Sequence, residues 1–133
     1  MYSNPVPVAV ALIPCDGKIV GIRRAIPPME GALALPGGYI NSGESFNQAL
    51  SRECLEETGI AIDASDWRVF HVGDSLSSNR ILIFGLCNSS LTKKLEFKSA
   101  ETLETCLIDD ATDLAFPLHK EAVLKFFSMK SEL

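Results

Sequence analysis

The chain has 133 residues, of which 47% are hydrophobic and 22% charged. That excludes a mainly disordered polypeptide and fits one domain over residues 1–133, large enough to bury roughly two thirds of its unfolded surface. Twelve Lys and Arg against seventeen Asp and Glu leave a net charge of −5, so a nucleic-acid polymer is not an expected partner, because phosphate neutralisation needs a basic stripe. A small phosphorylated ligand stays compatible, provided that a few local cations or a bound metal offset the acidity. No apolar run approaches the roughly 18 to 20 residues of a membrane span. The apolar segment 6–13 contains Pro7 and lacks both a basic leader and a small-residue cleavage site, so it does not read as a signal peptide and no membrane partner is expected.

Residues 6–13, rich in Val and Ala, predict a strand, Asp16-Gly17 a hairpin turn, and residues 18–24 the returning strand. Pro27, Pro28 and Gly31 predict a loop over residues 25–33. A short extended piece at 34–35 leads into Pro36-Gly37-Gly38 and Tyr39-Ile40. After the turn Asn41-Ser42-Gly43, a helix is expected over residues 45–58, ended by Gly59 as a left-handed cap. Strands are expected at 67–72 and 80–86, joined by a Ser/Asn turn, and at 102–108. A closing helix at 117–129 is expected to turn Val123, Leu124, Phe126 and Phe127 inward. Strands separated by helices predict an α/β (mixed α+β) fold with helices packed on a mixed sheet. The four cysteines, at 15, 54, 87 and 106, are widely spaced without a C-x-x-C pair, the pattern of reduced, mostly buried thiols in a cytoplasmic protein. His71 and His119 have no ligand-spaced neighbour, so zinc is not expected.

The segment 38–60 carries the chemistry. On a wheel of about 100° per residue with Phe46 at zero, Ala49, Leu50 and Cys54 fall at about −60°, +40° and +80°. Glu56, Glu53 and Glu57 fall at about −80°, −20° and +20°, so all three carboxylates are expected to point with the apolar stripe toward the protein body. The ordinary alternative is a solvated acidic face partnered by Arg52. It fits poorly, because the acidic and apolar sectors coincide and one arginine cannot neutralise three inward carboxylates. A buried, unpaired carboxylate costs several kcal/mol, and like charges at i,i+3 and i,i+4 add repulsion. Divalent cations can neutralise them, and carboxylates with an adjacent backbone carbonyl suit Mg²⁺ or Mn²⁺, not zinc or copper.

Gly38, five residues, Glu44, seven residues, then Arg52-Glu53-Cys54-Leu55-Glu56-Glu57-Thr58-Gly59-Ile60 resembles the signature of the Nudix hydrolases, each fixed position being matched. The one soft departure is Cys54, where the family usually has a larger aliphatic residue. The resemblance implies a Nudix-type α/β/α sandwich with a mixed β-sheet. It also implies a metal-dependent enzyme that hydrolyses a nucleoside diphosphate linked to another moiety. On these terms Glu53, Glu56 and Glu57 would bind Mg²⁺ (or Mn²⁺) with the Gly38 carbonyl, and Glu44 and Arg52 would brace the loop against the helix, a bidentate task suited to arginine. The general base would be a glutamate of this helix or one from a later loop. Glu104 is the first choice among later residues and Glu101 the second, with the reading of both as ordinary exposed acids left open.

Outside the motif, Arg23 and Arg24 are candidates to hold a phosphate as a planar fork, or else solvated charges at a strand end. Trp67, Phe84 and Phe116 are candidates to stack on a base, although single aromatics in strands more often belong to the core. Ala34-Leu35-Pro36-Gly37-Gly38-Tyr39-Ile40, and Leu114-Ala115-Phe116 ahead of His119, are similar to the ADP-ribose-processing branch. Two departures stand out: Pro117-Leu118 follows Phe116 where that branch commonly has Asp-His, and residues 71–79 contain no proline. The expected partner is a small-molecule nucleotide, ADP-ribose-like or another nucleotide sugar. A nucleoside triphosphate is the alternative, and a nucleotide-sensing module without hydrolysis the alternative of another class. Homodimer formation is left open.

Overall fold

A computed structural model describes residues 4–92, 97–111 and 113–131. In chain order the described elements are β1 (Val6–Leu12), β2 (Pro14–Cys15), β3 (Lys18–Arg24), β4 (Leu33–Ala34), β5 (Gly37–Tyr39), α1 (Phe46–Thr58), β6 (Trp67–Ser75), β7 (Arg80–Cys87), β8 (Thr102–Ile108) and α2 (Pro117–Ser131). The first sheet runs β5-β1-β7-β6 and is mixed: β1 is parallel to β7 and antiparallel to β5. In the second, β3 pairs with β2 and β4 along different stretches of one edge and with β8 along the other.

β1 explains the layering. Its nearly continuous apolar run suits a strand buried on both faces, and the side-chain alternation feeds two cores. Ala9, Ala11 and Ile13 join Ala49, Leu50, Cys54 and Trp67 beneath α1. Val10 and Leu12 join Phe84, Ala122 and Val123 beneath α2. The α1 side of the sheet is lined with small residues: a Cβ on Gly85 would strike Leu50 and Phe46. The result is the expected α/β/α sandwich.

α1 starts at Ser45, whose hydroxyl accepts from the Gln48 backbone while the Gln48 side chain accepts from the Ser45 N–H, a reciprocal cap. It ends at Gly59, left-handed at φ 72°, a backbone conformation that glycine adopts without strain. Two details differ from the sequence reading. β6 continues to Ser75, because its pairing with β7 persists down to Ser75 opposite Arg80. Leu124 is 61% exposed rather than inward. The buried face of α2 runs through His119, Ala122, Val123, Phe126 and Phe127 at i, i+3, i+4, i+7 and i+8, and Leu124 lies one step, about 100°, beyond Val123. None of the four cysteines is in a disulfide, and three are buried. No helix among the described residues is long and apolar enough to cross a membrane.

Candidate active site

The site is built on the strap between β4 and β5. Pro36 fixes φ and biases Leu35 toward extended backbone, and its carbonyl accepts from the Ala11 N–H of β1 at 2.8 Å. In an extended chain the flanking N–H groups then point the other way. Leu35 N–H donates to His119 Nδ1 at 3.2 Å, and Gly37 N–H donates to Glu57 Oε2 at 3.2 Å. Gly37 and Gly38 are required for close approach. A Cβ on Gly37 would lie 2.5 Å from the Ala9 carbonyl, and one on Gly38 would strike the Glu53 carboxylate.

Glu53 and Glu57 are buried, at 7% and 5% exposure, and carboxylate oxygens of Glu53, Glu57 and Glu101 lie within 4.8 Å of one another. Burial raises the pKa of Glu53. Burial, reinforced by the Glu53 charge, pushes Glu57 up to about 9 despite the Gly37 hydrogen bond. Arg52 ties helix to loop. Its Nε and Nη2 grip both oxygens of Glu44 at 2.6 and 2.9 Å, its Nη1 donates to Glu53 at 2.7 Å, and Nη2 also donates to the Tyr39 carbonyl at 3.0 Å. The Arg52 hydrogen bonds hold the Glu44 carboxyl down at about 2, and Glu44 in turn raises the pKa of Arg52.

Glu56 does not share the inward placement. Its side chain is 53% exposed and lies 3.4 Å from Arg52 Nη1. The buried residues of α1 centre near +30° on the wheel, so Glu56 sits about 110° off the centre while Glu53 and Glu57 sit close to it. The two later glutamates also part company. Glu101 lies in the cluster, whereas Glu104 is paired with Arg23 at 3.7 Å on an exposed surface. The order of preference between them is therefore reversed. A register shift between Arg23 and Arg24 in the β3–β8 pairing, with Ala25 N–H donating to the Glu101 carbonyl at 2.9 Å, holds the start of β8 at the cleft. Arg24 lines that cleft and Arg23 does not.

The cleft has a volume of about 690 Å³. Of the three aromatics singled out from sequence, only Phe116 lines it, with Arg24 above its ring at 5.7 Å. Phe84 and Trp67 belong to the cores, Trp67 donating to Ser51 Oγ at 2.9 Å. Sequence reasoning missed two features of the cleft wall: Tyr39, carrying Arg80 over its ring at 5.4 Å, and His119. The His119 contact with Leu35 spans 84 positions, and no local spacing announces it. The donor set fits a hard divalent cation. It is all oxygen, and burial raises the pKa of both Glu53 and Glu57, a cost of ionisation that a bound cation would offset.

The family model of the NUDIX domain matches residues 4–125, and the chain belongs to the Nudix family. Among relatives, an ADP-ribose pyrophosphatase of Methanocaldococcus jannaschii is 40% identical over 60 residues, a stretch covering 45% of this chain and 36% of that protein's own length. The crystal structure of a NUDIX hydrolase from Nitrosomonas europaea shares the fold with a TM-score of 0.86 at 22% identity, over 99% of this chain and 75% of that one. The NUDIX domain of Shewanella oneidensis NrtR, solved in complex with ADP ribose, does so with a TM-score of 0.72 at 16% identity, over 98% and 89% of the two chains.

Proposed function

We propose that the protein is a divalent-cation-dependent pyrophosphohydrolase of the cytoplasm that cleaves a nucleoside diphosphate linked to a second moiety, with ADP-ribose-like compounds and other nucleotide sugars as the favoured class. The observation that carries this reading is the oxygen cluster of Glu53, Glu57 and Glu101 in one cleft with Arg24 and the Phe116 ring. Glu53 and Glu57 would hold Mg²⁺ or Mn²⁺, with the Gly38 carbonyl beside them and Glu56 reaching in from the rim. When bound, the cation screens phosphate charge and makes water more acidic. Arg52, locked on Glu44, keeps the Glu53 carboxylate oriented. Glu101 accepts the proton of the attacking water, and the pyrophosphate link breaks at one phosphorus. Arg24 steadies a phosphate oxygen, its Nε and Nη2 already held by the Pro28 and Pro27 carbonyls.

Two ring-bearing walls favour a substrate with a moiety on each side of the diphosphate over a triphosphate. One is Phe116 with Arg24, and the other is Tyr39 with Arg80. The Methanocaldococcus jannaschii relative, an ADP-ribose pyrophosphatase, points the same way. The test is product release from ADP-ribose, nucleotide sugars and nucleoside triphosphates with Mg²⁺, repeated with EDTA. ADP-ribose is expected to yield AMP and ribose 5-phosphate, and chelation to abolish the reaction. Faster turnover of triphosphates would assign the alternative substrate class, and binding without turnover would assign a sensing module.

A further inference from the structure

His119 is a buried polar group with no part in the hydrolysis step. Its ring lies 5.0 Å from Phe116 and 5.9 Å from Phe84, centroid to centroid, and the residue is 8% exposed at the cleft wall. Because Nδ1 accepts the Leu35 N–H, the neutral ring carries its hydrogen on Nε2. Burial, with the Arg24 charge adding to it, pushes the pKa down to about 3, so the ring stays neutral at working pH. No protein group among the described residues accepts from Nε2–H, and His119 lines the cleft, so this donor is available to a ligand there.

The strap says which part of a ligand that is. Leu35 and Gly37 are two residues apart on its extended edge, about 7 Å, one holding His119 and the other Glu57. The imidazole therefore stands beside the carboxylate cluster, where the anionic part of a substrate is neutralised. Arg24 is anchored by two carbonyls through Nε and Nη2, which leaves Nη1 as a second donor on the same wall. We propose that His119 donates through Nε2–H to a phosphate oxygen of the substrate, beside Arg24 and the cation-binding carboxylates. This rests on the pyrophosphohydrolase reading of the cleft. A neutral donor holds such an oxygen without repelling the cation.

Two variants separate this contact from the structural role of Nδ1. His119→Asn keeps an acceptor near the Nδ1 position for Leu35 but cannot reach the Nε2 position, whereas His119→Gln can. With ADP-ribose and Mg²⁺, His119→Asn is expected to raise KM about tenfold to a hundredfold while kcat stays within about threefold. Its Tm should stay near that of the parent, and His119→Gln should recover part of the loss. Equal KM values for parent and His119→Asn would overturn the proposal, whereas a parent inactive on every nucleotide tested would overturn the underlying reading instead. A second readout needs no variant and no turnover. With ¹⁵N-labelled histidine only His71 and His119 give imidazole signals, and Nε2 of His119 is expected to shift on adding inorganic pyrophosphate with Mg²⁺. A signal that stays put at saturation, or that moves with ADP-ribose but not with pyrophosphate, would overturn the assignment to a phosphate oxygen.

Discussion

Glu101 and Glu104 stand three positions apart, on either side of the break in the β3–β8 register, so strand alternation does not carry from one to the other. Glu101 shares the carboxylate cluster, and Glu104 is left to an exposed pairing with Arg23. A pairing of this kind contributes little, about 0–1 kcal/mol. Glu104→Gln is therefore expected to leave kcat and stability close to those of the parent. Glu101→Gln should lower kcat by about 10² to 10⁴, the usual contribution of a positioned base, with the Mg²⁺ titration midpoint nearly unchanged. Steady-state rates of both variants across a Mg²⁺ series check this, and full activity in Glu101→Gln would return the base to the motif helix. The sequence offers both glutamates as candidates and leaves open that both are ordinary exposed acids. It does not choose between them, because a bulge between strands distant in the chain sets their placement.

The helix and the strap show what spacing does and does not carry. The caps of α1 at Ser45 and Gly59 and the inward turn of Glu53 and Glu57 follow from local chemistry and from the 3.6-residue period. Glu56 was misplaced because the wheel was centred on Phe46, whereas the packed face centres between Leu50 and Glu57. The two glycines of the strap divide structure from site. Gly37→Ala drives a methyl against the Ala9 carbonyl and the Val10 Cα, backbone atoms that cannot swing aside, so it should destabilise the fold by about 1–3 kcal/mol or more. Gly38→Ala meets the Glu53 carboxylate, the end of a side chain that can move. It should keep a near-parental Tm yet lose at least about tenfold in activity, because misplacing a group at the site by about an ångström is enough for that. Thermal unfolding and kinetics on the pair provide the check. If Gly38→Ala unfolds as readily as Gly37→Ala, the division fails.

At the scale of the whole molecule, the sandwich buries a carboxylate pair that folding alone does not favour. The strands and helices close the cores around β1, and the strap then holds Glu57 where its ionised form is poorly solvated. The consequence for stability has a definite sign. Glu57 has a folded pKa of about 9 against an ordinary 4.5, so between those values the folded state keeps a proton that the unfolded state gives up. That contribution is whole below about pH 4.5 and is lost as pH rises toward 9. His119 acts oppositely: its pKa falls from 6.5 to about 3, so stability is lost as pH falls through that range, and a bare Tm profile of the parent would mix the two. A comparison with Glu57→Gln removes the histidine, because it is common to both proteins. In metal-free buffer the Tm of Glu57→Gln should exceed that of the parent by a margin that widens from pH 5 to pH 9. Mg²⁺ should narrow the margin by stabilising the parent, and more so at the alkaline end, since binding a cation there requires the carboxylate to release its proton. Calorimetric scans of both proteins, with EDTA and with Mg²⁺, measure this directly. A margin that stays constant or shrinks with pH would mean that Glu57 is not held protonated by its burial, and the physical case for a cation at this cluster would lose its main support.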